Sequence, residues 1–190
     1  NQKETGAYYT SKETTNYIVE NTIGLKIISE LTDMGLVEKK VIEIDSVFSY
    51  GKFKKILLEK NQLEYVLKRI LGYKNIKSLR ILDPTCGSGA FLFATLNFLT
   101  DIIKTSLNII SLNEDFVKNR YLKKIYNQFG DNDYEILSHI IKNNIFGVDI
   151  EEEAVDFLKI NLYLKLISKN KNFDMLEDID KISKNFYHGN

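Results

Sequence analysis

The sequence predicts an α/β fold built on a doubly wound, mainly parallel sheet. Two short apolar runs, at 79–83 and 144–150, carry Asp83 and Asp149 at or near their ends. A glycine-containing loop follows the first run, and each run leads into a longer segment with the apolar content of a helix. Because the elements follow one another in the order α, β, α, β, α, β, we expect parallel strands joined by crossovers on both faces of the sheet.

The composition of the 190 residues is typical of a globular chain, and we expect one domain over 1–190 with a mostly helical N-terminal part at 1–75. The formal net charge is zero, which gives no global electrostatic footprint for nucleic acid. A single cysteine excludes an internal disulfide and fits a reducing cytoplasm. The first residues lack the apolar stretch of a signal peptide, and we expect no apolar run long enough to span a bilayer.

A helix is predicted close to the N-terminus. Thr10 and Glu13 have the spacing of a capping box, so we expect the helix to begin there. Its apolar residues continue to Leu31, and the following Met34 and Gly35 are typical of a helix end.

The segment before the first strand combines an undefined stretch with a second helix. The stretch 36–52 has no clear period, and its residues 41–44 are either a short strand or an irregular connection. A helix is predicted over 53–71, where lysines separate the apolar positions, and Gly72 is expected to stop it.

The first strand is predicted over 79–83 and ends at a turn. Pro84 has no amide hydrogen and cannot continue a central strand ladder. Gly87 and Gly89 allow a tight backbone path with room for a ligand. A long helix is expected to begin near Ala90.

The second half of the chain repeats this alternation. Two helical pieces are predicted over 113–144, separated by turn residues at 130–133. The second strand, 144–150, leads into a helix whose first turn holds the acids 151–153, which complement the helix dipole. The stretch 173–184 is polar and either loop-like or weakly helical.

The glycine loop is the stretch that carries chemistry. A dinucleotide site is the generic interpretation, but the third glycine of that fingerprint would fall at Leu92. The carboxylate of Asp83 would repel a pyrophosphate and suits a ligand with positive charge. S-adenosylmethionine carries an ammonium and a sulfonium, so the loop favours this cofactor. A strand–turn–helix unit without any ligand is the alternative.

Four separated stretches resemble the motifs of one family in its own order. The stretch 6–10, Gly-Ala-Tyr-Tyr-Thr, resembles motif X of the γ-class N6-adenine DNA methyltransferases, and 83–92 resembles motif I. The stretch 147–155 resembles motif II, and 187–190 resembles the start of motif III. This family occurs in restriction–modification enzymes, including type IIG-like ones, and in phage defence. The resemblance implies a Rossmann-like S-adenosylmethionine-dependent methyltransferase fold and methylation of adenine N6 in DNA.

The resemblance also implies roles for individual residues. Asp83 would accept a hydrogen bond from the ammonium of S-adenosylmethionine, and Asp149 would accept from the two ribose hydroxyls. Ile150 and Phe146 are candidates to pack on the adenine ring, and Asn190 stands where the family contacts the adenine amino group. The other predicted cofactor-binding residues are Tyr8, Tyr9 and Thr10 at the methionine end, and Pro84, Thr85, Cys86, Gly87, Gly89 and Phe91 in and after the glycine loop.

The chain departs from the family pattern in several places. Ser11 stands where the family usually has proline, and Thr85 stands where alanine is commoner. The long interval between Gly89 and Asp149 implies an insertion between the first two strands. The largest departure concerns the tetrapeptide Asn/Asp-Pro-Pro-Tyr/Phe, which holds the flipped adenine in this family. The chain contains one proline, Pro84, and therefore lacks that motif.

We therefore expect a fragment, truncated before the catalytic motif, that binds cofactor and is itself inactive. No residue of the chain is assigned a catalytic role. Double-stranded DNA is the expected partner of the full-length parent, with weak or no binding by the fragment, and no membrane partner is expected.

Two other functions stay open. A methyltransferase of protein glutamine or of RNA shares motif I, although the stretch 6–10 argues against it. A non-catalytic scaffold that binds no cofactor is the second. Cys86 is more simply a small packed residue, and His139 and His188 lack the spacing of metal ligands, so no metal site is predicted.

Overall fold

The computed structural model describes residues 10–38, 47–130, 132–169 and 182–189. Within these ranges helices dominate, and three short strands form one sheet. The prediction for 41–44, and that for most of 173–184, lie outside the described residues. The helices are α1 (Lys12–Val19), α2 (Leu25–Asp33), α3 (Tyr50–Leu57), α4 (Lys60–Leu71), α5 (Ala90–Ser111), α6 (Glu114–Val117), α7 (Arg120–Phe129), α8 (Asp133–Asn143) and α9 (Glu152–Ile167), with a π turn at Glu20–Gly24 between α1 and α2; the strands are β1 (Ile81–Asp83), β2 (Ile145–Asp149) and β3 (Phe186–His188).

The sheet is parallel, as predicted, and its strand order is β1-β2-β3. Ile81 pairs with Ile145, and Gly147 pairs with Phe186. A doubly wound sheet requires the strand order to reverse direction at one point. Each described strand lies beside the one that precedes it in the chain, always on the same side, so no reversal occurs among them. The α/β class and the parallel pairing are confirmed, and the reversal stays a prediction.

The two faces of the sheet differ in burial. On one face Ile145 and Phe186 are buried, and Leu92 of α5 packs against Gly147 so closely that a Cβ there would lie 2.9 Å from its Cδ1 atom. On the other face Leu82 and Tyr187 remain 60% and 57% exposed. Parallel sheets are ordinarily covered on both faces, because their crossover connections place helices there. Among the described residues, the helices bury only one face fully.

The N-terminal helical run begins one residue later than predicted. Ser11 is the N-cap, and its hydroxyl accepts a hydrogen bond from the backbone N–H of Thr14 at 3.2 Å. The capping box expected for Thr10 and Glu13 is therefore wrong, because Ser11 already has the extended backbone of a cap. The end is confirmed: α2 stops just before Gly35, which has a φ of +69°. Helix α1 packs against α5, and α2 packs against α4.

The π turn between α1 and α2 is tied to the connection that precedes α3. The side-chain oxygen of Asn21 accepts a hydrogen bond from the backbone N–H of Phe48 at 2.7 Å. The ring of Phe48 lies so close to Gly24 that a Cβ there would be 2.3 Å from its Cδ2 atom. The chain therefore needs a glycine at this turn to let the aromatic ring approach.

The single helix predicted over 53–71 is two helices. α3 begins at its N-cap Ser49 and ends at Leu57, and α4 begins after Glu59, whose backbone is extended. The two helices pack against each other, and both bury their apolar faces. Gly72 ends α4 with a φ of +75°, as the sequence predicted.

The insertion between the first two strands is helical throughout most of its length. After α5 it forms α6, α7 and α8, one piece more than predicted, and the predicted break at Gly130 is confirmed. An asparagine caps each of these helices: Asn113, Asn119 and Asn132 accept from backbone N–H groups of the first turn.

Helix α5 is the central helix of the fold. The helix has 22 residues, and a window of 18 of them has a mean hydropathy of 1.2, so by length and composition alone it could cross a bilayer and the expectation that no apolar run had this length is wrong. Its sides are occupied by α1, α4, α7, α8 and β2. These contacts explain its apolar composition as that of a buried core helix.

Two buried asparagines, which precede β2 and β3, hydrogen-bond to neighbouring helices and to the segment before β1. The Nδ2 group of Asn144 donates to the backbone carbonyls of Ile70, at 2.8 Å, and Leu79, at 2.7 Å. The Nδ2 group of Asn185 donates to carbonyls near the end of α8, including that of Ile141 at 2.8 Å. Ile70 and Ile141 lie in the last turns of α4 and α8, where backbone carbonyls lack partners within the helix, so these side chains supply the missing donors.

Candidate cofactor-binding site

Asp83 ends β1 and faces the loop that follows it. Its Oδ1 atom accepts a hydrogen bond from the backbone N–H of Thr85 at 3.2 Å, and the side chain is half-buried. Pro84 and Thr85 are exposed at the turn. Burial raises the pKa of Asp83, the Thr85 N–H lowers it, and the charge of Asp149 raises it further.

The glycine loop is anchored to β2 as well as to β1. The backbone N–H of Cys86 donates to the carbonyl of Val148 at 2.9 Å, and that of Gly89 donates to the carbonyl of Cys86 at 2.8 Å. Gly87 and Gly89 have φ angles of +50° and +94°, the left-handed region that glycine enters without strain. A Cβ on Gly89 would lie 2.3 Å from Leu158 Cδ1, whereas a Cβ on Gly87 would meet open space.

Asp149, at the end of β2, contacts the glycine loop directly. Its Oδ2 atom accepts from the backbone N–H of Gly87 at 2.6 Å, and its Oδ1 atom accepts from that of Glu151 at 2.9 Å. A carboxylate has about four acceptor positions, so both oxygens keep capacity for a further donor such as a ribose hydroxyl. The two predicted acids therefore lie at the same edge of the sheet, on adjacent parallel strands.

Cys86 is a buried residue of the glycine loop, near both acids. Burial raises the pKa of its thiol to about 11, and the charges of Asp83 and Asp149 raise it as well. A thiol with this pKa is protonated at neutral pH and is a poor nucleophile and metal ligand. Among the described residues no group of three or more His, Cys, Asp or Glu side chains could hold a metal ion. Cys86 is a packed residue of the loop.

The remaining predicted residues fall into three groups. Thr10 lines a cavity that also contacts Ser88 of the glycine loop. Phe91 is partly buried and packs against the hydrophobic core, while Ile150 is 66% exposed beside Asp149. Phe146 lies on the open face of the sheet, where the guanidinium of Arg80 sits 4.3 Å from its ring centroid. Tyr8, Tyr9 and Asn190 lie outside the described residues.

This cavity, of about 360 Å³, joins the start of α1 to the glycine loop, and sequence reasoning did not find most of its lining. The predicted helix start at Thr10 places Lys12 and Asn16 one turn apart on one helix face, but it carries no signal that this face lies beside the glycine loop. The lining residues are Thr10, Lys12, Thr15, Asn16, Ser88, Ala90, Phe93, Ala94, Asn97, Phe157 and Asn161.

We expect Asp83→Asn to raise the melting temperature by a few degrees at neutral pH. The folded state raises the pKa of this carboxyl. Its stabilising contribution is therefore fully present below the unfolded pKa and is lost as the pH rises through the folded pKa. At neutral pH the ionised Asp83 opposes folding, and asparagine removes that charge while keeping an acceptor for Thr85. Thermal unfolding followed by circular dichroism at neutral and acidic pH measures both temperatures.

The difference between Asp83→Asn and the wild type should shrink in acid, where Asp83 is protonated. Asp101→Asn, at an exposed position of α5, is the control and should leave the melting temperature nearly unchanged. A lower melting temperature for Asp83→Asn at neutral pH would show that the ionised carboxylate stabilises the loop instead.

Comparison with known proteins finds similarity to restriction and defence methyltransferases. The chain is 31% identical over 169 residues, 87% of its length, to the "Putative type II restriction enzyme and methyltransferase RM.MjaORFECS2P" of Methanocaldococcus jannaschii. It is 24% identical over 155 residues, 82% of its length, to the adenine-specific methyltransferase PglX of Lacticaseibacillus casei. These matches span 12% and 11% of the lengths of the two relatives. No family model matches the chain. The similarity supports a methyltransferase of the restriction–modification or defence type.

Proposed function

We propose that this chain is the S-adenosylmethionine-binding part of a site-specific DNA adenine-N6 methyltransferase from a restriction–modification or phage-defence system. The observation that carries the proposal is the pair of carboxylates at the ends of two adjacent parallel strands, with a glycine loop between them. Asp83 offers negative charge to a cationic ligand group, and Asp149 offers acceptors to a diol. The names of the two relatives favour DNA methylation over the protein or RNA substrates that the sequence left open.

The residues present fit the proposed cofactor. The cofactor brings an activated methyl group on a sulfonium. The chain would hold its ammonium at Asp83, its ribose at Asp149, and the region near its sulfur at the Gly87–Gly89 backbone, where the open side of Gly87 leaves room. Water exclusion and orientation are the contributions that such a site makes to a transfer reaction.

The chain is proposed to bind the cofactor and not to perform the transfer. Its single proline excludes the Asn/Asp-Pro-Pro-Tyr/Phe tetrapeptide, which would hold the flipped adenine. Its zero net charge gives no overall electrostatic attraction to double-stranded DNA, so we propose that DNA binding belongs to the full-length protein. Transfer of labelled methyl groups to DNA by that protein, with the product identified as N6-methyladenine, tests the reaction.

Calorimetric titration of the chain with S-adenosylmethionine and with NAD tests the site. We expect saturable binding of S-adenosylmethionine alone. Asp83→Ala/Asp149→Ala should weaken it by more than about a hundredfold, because two charge-assisted contacts are lost. Asp83→Asn/Asp149→Asn should weaken it as well while keeping the loop hydrogen-bond acceptors.

The matched control is Glu114→Ala/Asp115→Ala, which removes two exposed carboxylates of α6. It should bind S-adenosylmethionine like the wild type. Equal affinity of the Asp83/Asp149 variants and the control would remove the carboxylate pair from the site. Absence of any S-adenosylmethionine binding by the wild type would favour the scaffold interpretation.

A further inference from the structure

The outward face of α9 carries an apolar stripe that the described residues leave exposed. The inward face of this helix packs toward β2 and β3, with residues such as Leu158 and Leu162 fully buried. The outward face holds four large apolar side chains that are between 38% and 56% exposed: Phe157, Ile160, Leu164 and Ile167. Their steps of three, four and three place them on one side of the helix. Since a helix that is apolar on both sides is ordinarily buried on both, the stripe indicates a further contact.

The stripe has the symmetry of a helix that pairs with a copy of itself. Ile160 and Leu164 stand two positions on either side of Leu162. Phe157 and Ile167 stand five positions on either side of it. In an antiparallel pair centred at the level of Leu162, Ile160 of each copy therefore faces Leu164 of the other. In the same pair Phe157 faces Ile167, so every apolar side chain of the stripe meets another.

A cavity beside the stripe offers room for a facing side chain. Its volume is about 260 Å³, and it is lined by Lys159, Ile160, Tyr163, Ile182 and Ser183. In the antiparallel pair, Leu164 of the other copy lies at the level of Ile160 and can enter this cavity. Such an arrangement is the knob-into-hole packing by which paired helices fill the space between them.

The distribution of charge along α9 favours the antiparallel direction. Acids stand at its N-terminal end, at 151–153 and 156, and lysines follow at 159, 165 and 169. A parallel pair would place the acids of both copies together, whereas an antiparallel pair places them beside the lysine end and opposes the two helix dipoles. Lys165 and Lys169 already contact Asn97 and Asp133, so the preference comes from the overall field and not from new ion pairs. The zero net charge of the chain adds no general repulsion between copies.

We propose that this stripe binds a second copy of the chain, through an antiparallel pair of α9 helices related by a two-fold axis at the level of Leu162. The same surface of both copies forms such a contact. The inference does not depend on the proposed function, because Asp83 and Asp149 take no part in it. Four side chains per copy are far fewer than the 20–30 residues a side of a standard interface, so we expect a reversible dimer with a Kd on the order of 100 μM.

Analytical ultracentrifugation of the chain between about 10 μM and about 1 mM tests the association. Leu164→Lys should raise the Kd of the dimer more than about tenfold, because each copy would place a charge against Ile160 of the other. Its melting temperature should stay that of the wild type, since Leu164 is exposed. Leu112→Lys is the control, because Leu112 is 80% exposed just after α5, and it should dimerise like the wild type. A wild type that stays monomeric, or an unchanged Kd for Leu164→Lys, would overturn the proposal.

Disulfide trapping tests the direction of the pair. Asp156 and Ser168 are exposed and lie at equal distances on either side of Leu162. Mild oxidation of mixed Asp156→Cys and Ser168→Cys chains, one of them tagged, should link one chain of each kind, and neither variant alone should form linked dimers. Cys86 is buried and should not react. Linked dimers of each variant alone would show a parallel pair and contradict the proposal.

The same two variants of the full-length protein test whether the contact exists there. We expect the mixed, linked dimer to form again. If the full-length protein forms none, another part of that polypeptide covers the stripe, and the proposal of a second copy is overturned.

Discussion

Gly89→Ala should lower the free energy of unfolding by about 3 kcal/mol. Two costs add at this position. The φ of +94° lies in the left-handed region, where a Cβ costs roughly 1–2 kcal/mol. The new Cβ would also lie 2.3 Å from Leu158 Cδ1, and because Leu158 is fully buried its side chain has to shift within a packed core. Urea unfolding followed by circular dichroism measures the change.

Gly87→Ala is the matched control for Gly89→Ala. Gly87 has the same left-handed conformation, with a φ of +50°, but a Cβ added there would have no atom within 4 Å apart from those of its chain neighbours. We expect it to cost only the conformational part, about 1 kcal/mol. In a Leu158→Ala background the cost of Gly89→Ala should fall toward that of Gly87→Ala. Equal costs for the two glycines in the wild-type background would show that the contact with Leu158 is relieved without strain.

Asn144→Ala should also lower the free energy of unfolding by about 3 kcal/mol. The Nδ2 group of Asn144 is the donor to the carbonyls of Ile70 and Leu79, and Asn144 is fully buried. Alanine leaves both carbonyls without that partner, and a buried group left unsatisfied costs roughly 1–3 kcal/mol. The loss should be measured by urea unfolding, with an unchanged dependence on denaturant concentration.

Asn143→Ala is the control that tests whether the loss of stability expected for Asn144→Ala comes from its long-range hydrogen bonds. Asn143 precedes Asn144, but its Nδ2 group donates only to the carbonyl of His139 in its own helix, at 2.8 Å. Alanine is the better helix former, so we expect a change of less than about 1 kcal/mol. A similar loss for Asn143→Ala and Asn144→Ala would show that the two long-range bonds of Asn144 contribute little.

The parts of the site that could be predicted from the sequence are those with local signals. An apolar run that ends at Asp83, followed by a proline and two glycines, indicates a strand, a turn and a loop whatever the rest of the chain does. The proximity of Asp149 followed from topology, because the carboxyl ends of adjacent parallel strands meet at one edge of the sheet.

What the sequence did not reveal depends on distant partners. The Gly87–Asp149 hydrogen bond joins residues 62 positions apart, and the Asn144–Ile70 bond joins residues 74 positions apart. The break between α3 and α4 has no glycine or proline to mark it, since Leu58 and Glu59 occupy the junction. The cavity that Lys12 and Asn16 line depends on the packing of α1 beside the glycine loop, which has no signal in the local sequence.

The π turn sets the direction in which Lys12 and Asn16 face. In an ideal α-helix each step of four residues over-rotates by about 40°, so four such steps would carry a buried stripe round the helix by about 160°. The π turn contains one extra residue, which reduces this rotation by about 100° and keeps the buried residues on nearly the same side of the run. The buried residues that recur at steps of four along this run are Thr15, Val19, Ile23, Ile27 and Leu31.

The number of residues in the π turn therefore sets the orientation of α1, whatever their types. α2 is held against α4 by the ion pair of Glu30 with Arg69, at 2.8 Å, which fixes the C-terminal end of the run. A one-residue deletion within the π turn would leave that end in place and swing the other end about a third of a turn. Lys12 and Asn16 would then leave the cavity although no residue of its lining had changed. In evolutionary terms, gain or loss of one residue at this turn is a way to reshape the cavity without altering the residues that line it.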